Sequence, residues 1–154
     1  MAGHQSARLR STALRAGATT KAAGLRDEAI ASYLRGFEAD WRDAYPGINA
    51  LQLIHEVDPH DPRIAELTPL VSFAVRRKVA SGQADYWDHA TLAELAVLAG
   101  DEAATRSAVA DALATQPASW MRDTIADTLR SVIERGGPAW VVDIERLLRS
   151  DDLA

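Results

Sequence analysis

Cysteine is absent from this 154-residue chain. Its absence excludes disulfides, thiol catalysis and Cys-ligated zinc together, and it fits a reducing, cytoplasmic setting. No apolar run approaches the roughly 20 residues that a membrane-spanning helix needs, so no membrane role is expected. The Ala/Ser/Thr-rich N-terminus lacks the apolar stretch of a secretory signal. β-Branched runs are short and never alternate cleanly with polar residues, which argues against strands. Neither G-x-x-x-x-G-K-[ST] nor G-x-G-x-x-G occurs, so no nucleotide site is signalled and no cofactor is expected. Acidic side chains are missing before Asp27, whereas Arg8, Arg10, Arg15, Lys21 and Arg26 all precede it. The remaining 12 basic residues face all 22 acidic ones, so a basic segment leads an acidic body. Such asymmetry can mark a nucleic-acid arm. The basic residues lack interleaved aromatics on which bases could stack, which favours a frayed helix or a flexible leader over residues 1–24.

Hydrophobic residues make up 47 % of the chain, enough for the core of one domain or of a piece of a repeat array. Of the few aromatics, four are tryptophans, at positions 41, 87, 120 and 140. At helix starts these read as packing wedges between helices rather than as the lining of a ligand pocket.

The domain proper is expected over residues 25–154 as about seven helices. Asp27 opens the first, to about Ala39, with Ala29, Tyr33 and Phe37 on one stripe widened by Ile30 and Leu34. After a loop at Asp40–Tyr45, Pro46 suits the first turn of a helix that runs to Val57. Ala50, Leu53, Ile54 and Val57 form its apolar face, and Asn49, Gln52 and Glu56 share the other side. Asp61-Pro62 and Thr68-Pro69 both look like helix starts, so a short turn precedes a helix at Pro69–Ala80 that carries Leu70, Phe73, Ala74 and Val79. Tyr86–Ala99 follows, closed by Gly100 and succeeded at once by Glu102–Ala114 under an Asp101 cap. Ser119–Arg135 and a helix from Pro138 complete the chain. Short links make consecutive helices antiparallel, which gives an all-α stack of helical hairpins.

The hairpin Ala29–Val57 has an echo at Asp85–Leu113. Setting Tyr45 over Tyr86 places Leu51 over Leu92, Ile54 over Leu95 and Val57 over Leu98. The spacing exceeds a tetratricopeptide unit of about 34 residues, so one unit carries an insertion, expected at the Asp58–Pro62 loop.

Ala29-x3-Tyr33-x3-Phe37 resembles the second-helix half of a tetratricopeptide motif. Gly36-Phe37-Glu38, Tyr45-Pro46-Gly47-Ile48-Asn49, Tyr86-Trp87 with Ala90-Thr91-Leu92, and Ala99-Gly100-Asp101 resemble the TRAF-binding domain of the apoptosis signal-regulating kinases, over roughly Leu25 to Ile133. Trp120 with Thr124 and Leu129 is similar to that family's closing helix. Related domains occur in bacterial tetratricopeptide proteins, which this Ala/Arg/Asp-rich chain resembles more. The resemblance implies a tetratricopeptide-like α-α superhelix without catalysis: a protein-interaction and regulatory scaffold in a signalling or defence assembly. It also implies a start inside the family's domain, with helices upstream of Ala29 lacking. Its partner would be a protein, such as an effector or adaptor, and a homo-oligomer is compatible with it.

In tetratricopeptide arrays the first helix of each unit faces the groove. Asn49, Gln52 and Glu56, with Asp88, Thr91 and Glu94 as their echo, are therefore the expected partner-binding residues. No catalytic residue or metal ligand is expected. His55, Glu56, Asp58, His60 and Asp61 could in principle hold a metal for hydrolysis, but His55 is helical, His60 lies beyond a proline, and H-E-x-x-H is absent. Asp88-His89 could act as a general base, but no serine or cysteine nucleophile accompanies it convincingly, and Asp88 suits a first helical turn. Arg76-Arg77-Lys78 reads as a solvated helix end that complements the dipole.

Overall fold

The computed structural model describes residues 2–150, with side-chain surroundings from residue 17 onward. The described residues are all-helical, as expected, and form seven helices: α1 (Ala2–Ala39), α2 (Ala44–Val57), α3 (Pro62–Ala80), α4 (Tyr86–Leu98), α5 (Glu102–Ala114), α6 (Ser119–Glu134) and α7 (Ala139–Leu148). Local chemistry sets the boundaries. Asp43, Asp61, Asp85 and Asp101 each cap the helix that follows by accepting a backbone N–H from its first turn. At Asp85 the cap is reciprocal, because the Asp88 carboxylate accepts the Asp85 N–H at 2.8 Å. Gly100 takes φ 69°, and Asp101 N–H reaches back to Ala96 O at 2.9 Å, so one glycine turns α4 into α5.

The same left-handed position after α5 is filled by Gln116, at φ 55°. A side chain there costs roughly 1 kcal/mol that glycine does not incur. Gln116→Gly is therefore expected to stabilise the fold by about 0.5–1 kcal/mol, read as a higher denaturation midpoint at unchanged m-value. A lower midpoint would show that the Gln116 side chain contributes more than its backbone costs.

Helices α2, α4 and α6 pack side by side as an inner layer. The outer layer is formed by α1 on α2, α3 on α2 and α4, α5 on α4, and α7 on α6. Each inner helix with the outer helix that follows it is one hairpin, and α1 is an outer helix that packs on α2. Two cores result. Phe37, Ile48, Leu51, Val71, Val75 and Leu95 fill the first. The second joins α4 to α7 around Val97, Val109, Ile125, Leu129, Ile144 and Leu148. Leu92 packs against both.

The first core explains two of the family-like sequence words. A Cβ on Gly47 would stand 2.5 Å from Val71 Cγ2 and 3.1 Å from the Phe37 ring. A Cβ on Gly36 would meet Pro46 Cβ at 3.3 Å. These glycines let α1, α2 and α3 approach closely enough for Phe37 to be buried.

Four expectations need correction. The first helix begins at Ala2, not Asp27, so Asp27 lies within it and does not open it. Residues 17–28, with Lys21 and Arg26, are exposed, and the side chains of Arg8, Arg10 and Arg15 lie outside the described set. Second, Pro69 does not divide α3. The carbonyl that it leaves without a donor belongs to Ala65, which is exposed and can be hydrated. Third, the extra length of the first repeat lies in the helix and not in the loop, since α3 has 19 residues where α5 has 13. Fourth, Trp41, Trp87 and Trp120 are exposed, and of the four tryptophans only Trp140 packs on a core. Trp41 lies in the loop between α1 and α2, and Trp87 and Trp120, in the first turns of α4 and α6, stand 6.0 Å from each other at the edge of the inner layer. Leu70, Phe73 and Val57 are also exposed.

A polar groove along the inner layer

The inner layer leaves a groove of about 810 Å³ between α2, α4 and α6. Asn49, Gln52, Asp88, Thr91 and Glu94, five of the six expected binding residues, line it. The sixth, Glu56, lies one turn further along α2 beside a smaller cavity of about 220 Å³, which Gln52 shares. There the Glu56 carboxylate accepts from Ser131 Oγ at 3.1 Å and lies 4.0 Å from Arg135.

Two stripes of equal spacing build the walls: Tyr45, Asn49 and Gln52 on α2, and Trp87, Thr91 and Glu94 on α4. Positions four and three apart share one helix face, so each stripe runs from an aromatic mouth to a polar floor. α6 adds Thr124 and Thr128, and the end of α3 adds Lys78. The sequence reading did not place these last residues in the groove. Arg76, Arg77 and Lys78 are all exposed, as a solvated helix end should be, and the Lys78 ammonium also pairs with the Asp88 carboxylate at 2.9 Å.

Most lining polar groups are already occupied locally. Asn49 donates its amide N–H to Tyr45 O at 2.8 Å, and Thr91 Oγ1 donates to Trp87 O at 2.9 Å. Arg42 pairs with Asp40 at 2.8 Å at one rim. At the mouth, the Trp87 ring stands edge-on to Tyr86, with centroids 5.1 Å apart, and 6.0 Å from Trp120. Tyr86 itself is buried and donates its hydroxyl to Met121 O at 2.7 Å; burial pushes its pKa up to about 12.

The floor differs. Glu94 is half-buried between α2, α4 and α6, and it lines the groove. Its hydrogen-bond partners are neutral: Thr128 Oγ1 at 3.0 Å and the Gln52 amide. Burial raises its pKa to about 7, and those two donors offset only part of that rise.

The residues weighed for chemistry are not assembled. His55 is half-buried on α2, and burial lowers its pKa, while His60 is exposed in the α2–α3 loop. Among the described residues no three potential metal-ligating side chains cluster. No helix among them is long and apolar enough to cross a membrane. Asp88 occupies the third position of α4 and is committed to its cap and to Lys78. The groove offers hydrogen bonds, aromatic faces and, in Glu94, a carboxyl group with neutral donors alone, which suits binding.

Compared with known families, residues 14–135 match the MAP3K TRAFs-binding domain, a protein-binding domain. No curated protein and no solved structure matches the chain.

Proposed function

The chain belongs to the MAP3K TRAFs-binding domain family, and from that premise we propose that it is a non-catalytic regulatory scaffold that grips a protein partner in the groove between α2, α4 and α6. The observation that carries this reading is the convergence of Asn49, Gln52, Asp88, Thr91 and Glu94 from two helices on one cavity. The helices that supply them are held by two cores behind the groove, so the side chains are presented by rigid elements. Pre-positioned anchors lower the ordering cost of association, and a few of them dominate affinity. Membership of a protein-binding family favours a polypeptide ligand over a metabolite. An effector or adaptor of a bacterial, cytoplasmic signalling or defence assembly is the partner that this reading supplies.

A photo-crosslinking residue at position 49 or 52 is expected to capture the partner in cells, whereas one at position 111, exposed on α5, is not. Asn49→Ala with Gln52→Ala should leave the helical circular-dichroism signal intact and weaken the captured complex about tenfold or more. Equal capture from position 111, or full affinity in the double variant, would move the interface off the groove.

A further inference from the structure

We infer that the groove is built to receive a basic side chain, an arginine or lysine presented by the partner polypeptide, with its cation seated on Glu94 and its aliphatic stem between Trp87 and Tyr45. This deepens the groove reading above and rests on it.

Charge carries the first part of the argument. Five carboxylates line the groove, those of Asp40, Asp43, Asp85, Asp88 and Glu94, against two cations, Arg42 and Lys78. Both cations are engaged, Arg42 with Asp40 and Lys78 with Asp88. Asp43 and Asp85 are engaged as helix caps. Glu94 is the carboxylate left facing the cavity with neutral donors alone.

Shape carries the second part. Trp87, Thr91 and Glu94 follow one another along a single face of α4, about 10 Å from end to end at 1.5 Å per residue. A side chain that enters at the aromatic mouth would pass Thr91 and bring its charged head towards the floor. Trp87 and Tyr45 remain 40 % and 62 % exposed at that mouth, open to the stem or to a cation–π contact. A half-buried carboxylate with neutral donors and no cation is a costly arrangement for a scaffold, and an incoming ammonium or guanidinium would relieve it. An acidic segment would meet repulsion from every uncompensated group in the groove.

The test is a heteronuclear NMR titration of the full chain with three capped, seven-residue peptides of alanine and glycine. Their central residue is arginine, citrulline or glutamate. Citrulline keeps the shape of arginine and removes its charge. The arginine peptide is expected to bind saturably at millimolar concentration or below, shifting the Trp87 indole and the Thr91 and Thr128 amides. Glu94→Gln should weaken that binding about tenfold or more, whereas Asp111→Asn on α5 should not change it. Binding of the citrulline or glutamate peptide to the same residues with equal affinity would overturn the basic side chain and leave the groove reading standing. Undiminished binding to Glu94→Gln would do the same. Shifts confined to another face, or none, would overturn the inference, and the crosslinks from positions 49 and 52 then decide separately whether the groove binds a partner at all.

Discussion

Replacing Phe37 by alanine is expected to destabilise the fold by about 3–5 kcal/mol, the largest loss from any single side chain considered. The ring is 3 % exposed and lies against Gly47, with Ile48, Leu51, Val71, Val75 and Leu95 in the same core. Truncation leaves a cavity that this neighbourhood cannot close. Collapse would have to bring α1 nearer to α2, and Gly36 is already tight against Pro46. A domain of this size has about 5–15 kcal/mol in total, so much of the reserve goes. Because Phe37 belongs to the first core, where α1 packs on α2, and not to the second, the loss should also be uneven. Amide exchange should accelerate most over the last turns of α1 and the first turns of α2, and least in α6 and α7. A denaturation midpoint within experimental error of the parent would remove Phe37 from the core.

Glu94→Gln is expected to act in the opposite direction at alkaline pH. The folded-state pKa of Glu94, about 7, lies above its ordinary value of 4.5. Between those limits the folded chain holds a proton that the unfolded chain has released. Stability is therefore lost as pH rises through this window, and above about pH 7 the fold bears the full cost of the buried charge, about 3 kcal/mol. Glutamine keeps the shape and the contacts with Thr128 and Gln52 while it removes the titration. The variant should be more stable than the parent by about that amount at pH 8, and the two should converge near pH 4.5. Below pH 6.5 the parent also feels His55, whose pKa is lowered by burial and which therefore works in the opposite sense. Both chains share that contribution, so the difference between them isolates Glu94. A parallel pair of stability curves from pH 5 to 8 would show that Glu94 titrates as an ordinary exposed carboxylate. A substitution that stabilises the fold and weakens a partner would mark Glu94 as kept for binding rather than for folding.

Much of the architecture is legible in the residues because helix ends are local events. Asp61-Pro62, Asp85, Gly100 and Asp101 each fix a boundary through their own hydrogen bonds and backbone preference, so short range suffices to place them. The groove stripes are legible for the same reason: Asn49 and Gln52, or Thr91 and Glu94, share a face by spacing alone. What escapes depends on layers. Whether Pro69 breaks a helix is decided by whether the Ala65 carbonyl meets water, which requires knowing that this side of α3 faces out. Whether a tryptophan is a wedge or a rim depends on where its helix starts relative to its neighbours, and Trp87 and Trp120 start at the edge. The pairing of Lys78 with Asp88 joins two hairpins, so neither residue's neighbours in sequence announce it. Glu94 gives no local sign of its raised pKa, because the groups that surround it come from α2 and α6.

Leu92, which touches both cores, has a mechanical consequence. The chain behaves as two hydrophobic blocks, α1–α3 and α5–α7, that share α4 as a common jamb. The width of the groove is then the angle between the blocks, and Leu92 sits near its pivot. A change of side-chain volume at that position, well behind the groove wall, would act as a shim: it would open or narrow the jaws without altering a single residue that a partner touches.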